Sequence, residues 1–511
     1  MRLAYKVISI IITTLVLLTI GQACSQNTRF SSVPTFLSAL KNEASGNGGT
    51  YDGKIRVLHH YVDDFTCEGK PRPESILMRD QNLKWSLIRN TSEKCAFVNR
   101  IEATPVDYNE VTNQAIYMND VYVPPRDYVV SASEDPNLPG VKPDTGVCED
   151  SNGICSLRAA LDVADLTALT TPVIIHVLAG SYKARFIGLW SDYSNAKSIT
   201  IRGEDPMTTI LDGVNVIAPL SINRKSTALV AIENITVQNG SGPVGGGSGA
   251  AIDTVRNSSA IAINNCIIKN TTNHPALDFA QDASVQIRHT IFYGNNQGAV
   301  RIYRAATLIE DSVFESTLNA EGLIMWSNKS AVVRRSTFSN NYLAISLNVC
   351  ETCQLENITV ANNRGGIQIS GGSSNSITNS TIVNNSVLAN GNLSLYPVTS
   401  SDKLYFNNSV LATNDPTKSN CTWLASTKAA AFSFIAMNSL IDDASCGVLN
   451  PPNIMASPML GPLADNGGLT MTMMPQPGSP LINAGSDALC AATDQRGQLH
   501  LKCDIGSVEA P

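Results

Sequence analysis

From about residue 196 to 445, apolar and polar positions alternate in short bursts that return at a nearly fixed interval. The bursts read IENITVQN from Ile232, INNCIIKN from Ile263, IRHTIFYG from Ile287, IEDSVFES from Ile309, VRRSTFSN from Val333, LENITVAN from Leu355, ITNSTIVN from Ile377 and FNNSVLAT from Phe406. Their starts are separated by 31, 24, 22, 24, 22, 22 and 29 residues. Each burst is rich in Ile, Val, Thr and Phe at every second position, which is strand chemistry, and each is too short for a pair of helices. About 22 residues per repeat fits three short strands joined by tight corners, with successive turns stacked about 4.8 Å apart. The pattern predicts a stacked coil of strands, because a single turn cannot bury its own apolar face.

The third position of the burst is usually asparagine: Asn234, Asn265, Asn357, Asn379 and Asn408. Asparagine tolerates left-handed backbone, and stacked copies can hydrogen-bond along a column, so these residues are expected at corners. Triplets such as Asn234-Ile235-Thr236 follow from that corner pattern and carry no separate glycosylation signal. A second strand runs through AAIDTV from Ala250, PALDFA from Pro275, GAVRIYR from Gly298, GLIMWSN from Gly322, LAISLN from Leu343 and GGIQIS from Gly365. Placing Ile252, Leu277, Val300, Ile324, Ile345 and Ile367 inward predicts an outward column of Asp253, Asp278, Arg301, Met325, Ser346 and Gln368.

Composition adds the compartment. The chain has 35 Gly, 15% charged residues and a net charge of −7, with no basic stripe to neutralise phosphates, so nucleic acid is not an expected partner. Arg2 and Lys6 precede an apolar run over 7–20, too short for a comfortable membrane span, and Gly21, Gln22, Ala23 and Cys24 follow. The segment resembles a bacterial lipobox, with Gln22 bulkier than the usual small residue; the resemblance implies cleavage before Cys24, a lipid on that cysteine and attachment to a membrane. Ordinary secretion with an incidental Cys24 is the alternative. Near neighbours among the remaining cysteines suit an oxidising compartment: Cys67 with Cys95, Cys148 with Cys155, Cys421 with Cys446, and Cys490 with Cys503. Cys350 and Cys353 read as a local disulfide or two free thiols, and Cys266 as a buried inert thiol.

Two segments give the coil a family. CEDSNGICSLRAAL, from Cys148 to Leu161, resembles the opening of bacterial β-helix proteins named for a CSLREA motif, although Ala159 stands where that family has glutamate. The run ADNGGLTMTMMPQPGSPLINAGSD, with Cys490, DQRG over 494–497 and CDIGSVE over 503–509, resembles a choice-of-anchor domain closing many exported β-helix proteins. Together the resemblances imply an all-β, right-handed parallel β-helix of the pectin-lyase type. The expected organisation is a signal peptide over 1–23, a lipid-anchored linker and small β-rich region over 24–143, the β-helix over 144–463 and a capping segment over 464–511, in which Asp494 pairs with Arg496.

Candidate chemistry lies where distant residues become neighbours in the stack. Asp253 and Asp278, one strand apart with Arg301 on the next turn, are the catalytic candidates: acid and base for glycoside hydrolysis, or a calcium cradle against a uronate with arginine acting on the sugar. The arrangement resembles the cleft wall of pectin-lyase-type enzymes, and Tyr303 and Trp326 suit stacking on a sugar ring. A second cluster, His289, Asp311 and Arg335, replaces asparagine at three successive corners beside an alternating column of Arg288, Glu310, Arg334 and Glu356. Its structural reading is an ion ladder, which any stacked charged face requires. His176 is expected to be a hydrogen-bonded strand residue, and Gly245, Gly246, Gly247 and Gly249 a flexible insertion without phosphate-loop character. The expected function is a surface lipoprotein that binds extracellular polysaccharide or cell-surface glycan along its wall. Cleavage, by a polysaccharide lyase or glycoside hydrolase, ranks below binding, and calcium is the only cofactor suggested. The alternative is a non-catalytic adhesin or stalk.

Overall fold

The computed structural model describes strands at 51–58, 75–80, 85–89, 105–109, 114–117 and 126–130, and then residues 147–510 except 150–151, 168–171, 184–186, 190–197, 223–228, 243–248, 255–259, 280–283, 318, 386–390, 400, 424–432, 448–449 and 500–501. Cys24, Cys67, Cys95 and Gly245 to Gly247 lie outside the described residues. The chain divides into two compact units, one of Ser25–Asp127 with Thr170–Pro172, the other including Tyr128–Leu169 and Val173–Pro511. In the first, Tyr51–Leu58, Ser75–Asp80 and Trp85–Arg89 form an antiparallel sheet. Pro105–Asn109 pairs with Gln114–Tyr117, also antiparallel.

The second unit is a right-handed parallel β-helix built from three long sheets of twelve, eleven and ten strands. We call them sheets 1, 2 and 3. From the strand Val173–Val177 on, each complete turn of the coil gives one strand to each sheet, and these strands pair in parallel with their counterparts one turn away: Ile232 with Ile263 in sheet 1, Val237 with Ile268 in sheet 2 and Leu277 with Val300 in sheet 3. Inward positions fill one continuous apolar core, from Val173 and Ile175 in the first turn to Leu404 and Phe406 near the last. Within it Phe292, Phe314 and Phe338 stack ring on ring at 4.7 and 4.5 Å.

The corner expected from the sequence is present between sheets 1 and 2. Asn234, Asn265, His289, Asp311, Arg335, Asn357, Asn379 and Asn408 all have φ between 45° and 57°. The continuous asparagine ladder, however, lies at the next corner. Asn340, Asn362 and Asn384 take left-handed backbone there and turn the following residues, Asn341, Asn363 and Asn385, into the interior. Asn341 Nδ2 donates to Asn363 Oδ1 at 2.9 Å and Asn363 Nδ2 to Asn385 Oδ1 at 2.8 Å. Asn363 Nδ2 also donates to the Phe338 carbonyl, at 3.0 Å, so the ladder satisfies corner backbone that would otherwise be buried unpaired. The doubled asparagines in SNNY, ANNR and VNNS are its sequence signal.

The CSLRAAL segment, expected only as an opening motif, forms the helix Leu157–Thr167. Ser156 caps it, its Oγ accepting from the Ala159 amide at 3.2 Å. Leu157, Ala160, Leu161 and Ala164 repeat at helical spacing and are fully buried against the start of the core. Ala159, where the resembled family has glutamate, is also fully buried. The helix covers apolar surface that the first turn exposes for want of a preceding turn.

The C-terminal segment lies along the flank of the stack. Met473, Leu481 and Ile505 cover Ala361, Val383, Val410, Ala412 and Leu440 on the outer side of sheet 2. Gln495 reaches Thr337 Oγ1 at 2.9 Å and accepts from Thr359 Oγ1 at 2.6 Å. Arg496 Nη2 pairs with the fully buried Asp494 at 2.7 Å and donates to the Glu509 carbonyl at 2.8 Å. Corner asparagines join in: Asn357 Nδ2 donates to the Thr493 carbonyl, and Asn408 Nδ2 to the Ser486 carbonyl.

Disulfides join Cys148 to Cys155, Cys350 to Cys353, Cys421 to Cys446 and Cys490 to Cys503, consistent with export to an oxidising compartment. Cys266 is buried and free, and burial pushes its thiol up to about 12, which keeps it unreactive.

Candidate functional site

The outer face of sheet 3 carries the predicted wall. Strand pairing places Ser221, Asp253, Asp278 and Arg301 in one column, one residue per turn. The next member is Ile324, and the column then continues through Ser346, Gln368, Ser394 and Thr422. Met325 was expected there; it is instead fully buried, while Leu323 takes the inward place expected for Ile324. The error has a physical cause: Leu323, Ile324 and Met325 are all apolar, so alternation gives no phase within that strand, and cross-strand register decides it.

Asp253 and Asp278 are buried, at 8% and 4% exposure, although their column faces outward. Arg301 grips Asp278 in a fork: Nε donates to Oδ1 at 3.0 Å, and Nη2 pairs with Oδ2. That hydrogen bond raises the arginine pKa above its ordinary value against the opposing effect of burial, with the carboxylate charge of Asp278 adding to it. Ser221 Oγ donates to Asp253 Oδ2 at 3.2 Å. Both oxygens of Asp278 therefore have a committed partner, which works against its use as a free base or a calcium ligand. Among the described residues no group of three or more His, Cys, Asp or Glu side chains is placed to hold a metal ion.

Two residues along the strand from Arg301, a second outward column begins with Tyr303 and Trp326 and continues through Asn348, Ser370 and Tyr396. The rings of Tyr303 and Trp326 lie 5.1 Å apart at 52°, with the Arg301 guanidinium 5.8 Å from the tyrosine centroid. Burial pushes the tyrosine hydroxyl above its ordinary pKa, Arg301 opposing it and Asp278 adding to it. Trp326 is 43% exposed, so much of a large aromatic surface faces solvent on a wall that is mostly polar apart from Ile324.

His289, Asp311 and Arg335 come together at the corner between sheets 1 and 2, away from the sheet 3 columns. Arg335 holds Asp311 in a fork of two 2.8 Å bonds and also reaches Glu310 at 2.8 Å. Arg288 and Arg334 reach the same Glu310, at 2.9 and 2.8 Å. His289 Nε2 lies 3.7 Å from Asp311, while its Nδ1 is 3.2 Å from Asn264 Oδ1. The two predicted clusters are separate sites. His176 lies in the strand Val173–Val177, beside Arg202 in register.

The fold defines the class of protein, a right-handed parallel β-helix. Residues 275–433 match the family described as "Right handed beta helix region". Among solved structures, a PL6-family alginate lyase is similar at 14% identity over 68% of this chain and 56% of the lyase, with a TM-score of 0.37. This chain thus spans little more than half the length of that protein. The A-module of a mannuronan C-5 epimerase from Azotobacter vinelandii is similar at 12% identity over 59% of this chain and 95% of the module, with a TM-score of 0.28. No curated protein matches the chain.

Proposed function

We propose that the protein is an exported lipoprotein, anchored through Cys24 to the bacterial outer membrane or cell surface, whose sheet 3 wall binds extracellular polysaccharide. The observation that carries this reading is the exposed Trp326 ring beside Tyr303, directly in register above a polar column. An exposed tryptophan beside a half-buried tyrosine, flanked by hydroxyl, amide and guanidinium groups, matches a sugar, whose ring has an apolar face and a rim of hydroxyls. Binding ranks above cleavage because any chemistry by Asp253, Asp278 and Arg301 must first open the Asp278–Arg301 fork. The corner cluster of His289, Asp311 and Arg335 serves as a stabilising ion ladder in this reading.

Trp326→Ala tests it. The full chain, screened on a glycan array with and without calcium, is expected to bind, and the variant to bind about tenfold more weakly with an unchanged melting temperature. A wild-type chain that binds no glycan would favour the adhesin or stalk reading. The anchor has its own check: Cys24→Ala should abolish incorporation of labelled palmitate and release the protein from the membrane fraction.

A further inference from the structure

Resting on the carbohydrate reading above, we infer that the ligand of the sheet 3 wall is a neutral, hydroxyl-rich glycan and not a polyuronate or other anionic chain. From Ile324 onward the first outward column reads Ile324, Ser346, Gln368, Ser394 and Thr422. The second reads Trp326, Asn348, Ser370 and Tyr396 over the same turns. None of these side chains is ionisable near neutral pH; Ser346 and Ser394 are buried, and the exposed or half-buried members offer the Trp326 and Tyr396 rings, the Ser370 and Thr422 hydroxyls and the Gln368 and Asn348 amides, with no cation among them to meet a carboxylate. Of the cations beside the aromatic pair, Arg301 is already neutralised by its fork to Asp278 and directed over Tyr303, and Arg304 is an exposed corner residue on the Tyr303 turn, so both lie before the columns that run from Ile324 and Trp326 onward. At the margins among the described residues the charges come in opposed signs: Glu321 opening its strand and Arg364 before the next but one, Lys329 and Glu351 beyond the corner residues Ser327 and Val349. Arg364 lies over the Tyr342 ring, 5.1 Å from its centroid. A polyuronate would bring one carboxylate per sugar and leave those over the columns from Ile324 onward without an ion pair there, losing hydration without compensation.

Spacing agrees with the chemistry. Trp326 and Tyr396 are three turns apart in one column, about 14 Å at the ordinary strand separation, with Asn348 and Ser370 between them. An extended glycan along the stack would place sugars on both rings and present hydroxyls to the amide and hydroxyl groups in between. Asn348 is already oriented by a hydrogen bond from its Nδ2 to Ser346 Oγ at 3.0 Å.

The test is calorimetric titration of the full chain with neutral hexasaccharides (cello-, manno- and xylohexaose) and with acidic ones (hexagalacturonate and hexamannuronate), at low salt and at about 0.5 M salt. The expected result is binding of at least one neutral hexasaccharide, with affinity changing less than about twofold between the salts and falling about tenfold in Trp326→Ala. Tyr396→Ala should weaken it too. Acidic hexasaccharides that bind in a salt-sensitive, Trp326-dependent way would overturn this inference and leave the carbohydrate reading intact. Neutral binding indifferent to both substitutions would put the ligand elsewhere and also overturn it. Binding of neither class would remove the carbohydrate reading and this inference together.

Discussion

Glu310 shows how a buried carboxylate can stabilise the coil. It is 5% exposed, and burial by itself would raise its pKa, but Arg334, Arg335 and Arg288 outweigh that and bring it from an ordinary 4.5 down to about 2. With the folded value below the unfolded one, the contribution is complete above the unfolded pKa and is lost as pH falls toward about 2. It amounts to about 3 kcal/mol at most. Glu310→Gln is therefore expected to lower stability at pH 7 and to flatten the loss between about pH 5 and 2, which denaturant melts across that range would read directly. Equal pH profiles for the two proteins would refute it. Asp278 makes a second case. Asp278→Ala strands a half-buried guanidinium and should cost about 3 kcal/mol or more, whereas Asp278→Leu with Arg301→Met should recover most of that. A double variant no better than the single one would show that the fork adds net stability of its own.

At the scale of the element, each corner solves a backbone problem with a different side chain. The corner between sheets 1 and 2 needs left-handed φ, which asparagine meets easily; His289, Asp311 and Arg335 adopt the same φ of 49–50° and exchange that local fit for ion pairs across turns. The corner between sheets 2 and 3 depends on the interior ladder. Asn363 accepts from the Asn341 amide and side chain, both at 2.9 Å, and donates to Asn385, so replacing it leaves unpaired groups on both neighbouring turns. Asn363→Ala should cost about 2–4 kcal/mol, whereas Asn340→Ala, which gives up an exposed left-handed corner and one long bond from Nδ2 to Glu315 at 3.3 Å, should cost about 1 kcal/mol. Urea melts of the two variants would separate by midpoint, and equal midpoints would deny the ladder its role. Both corners were legible as strand breaks in the repeat; the expected column bond is present between Asn265 Nδ2 and Asn234 Oδ1 at 2.9 Å, but the longer interior ladder lies at the other corner and was not foreseen. Position within the burst marks a turn; whether the side chain points in or out depends on backbone that only the folded corner fixes.

For the whole molecule, the C-terminal segment turns a one-dimensional stack into something with a long-range clasp. It bonds to Arg335, Ser336, Thr337, Asn357, Thr359, Asn379, Thr381 and Asn408, spread over four turns, and the Cys490–Cys503 disulfide lies against Asn379 and Asn408. A coil held only by neighbouring turns unfolds piecewise from its ends, so tying several turns together should make that part melt as one. Cys490→Ser with Cys503→Ser is expected to cost about 3 kcal/mol and to make 464–511 the first segment cut by protease, with sheet 2 apolar surface then binding a hydrophobic dye. Simultaneous cleavage throughout the chain would argue against the clasp. By itself the sequence determined the coil, its period, the left-handed corners and most of the inward and outward alternation, because these are local properties repeated with each turn. It also placed Asp253, Asp278 and Arg301 in one column. Only the tertiary structure decided the phase at Ile324, the fork that binds Asp278 to Arg301, the helix over the first turn and the course of 464–511 along sheet 2. Each of those is set by packing between residues far apart in sequence, where short-range alternation carries no phase and an apolar face fits more than one partner.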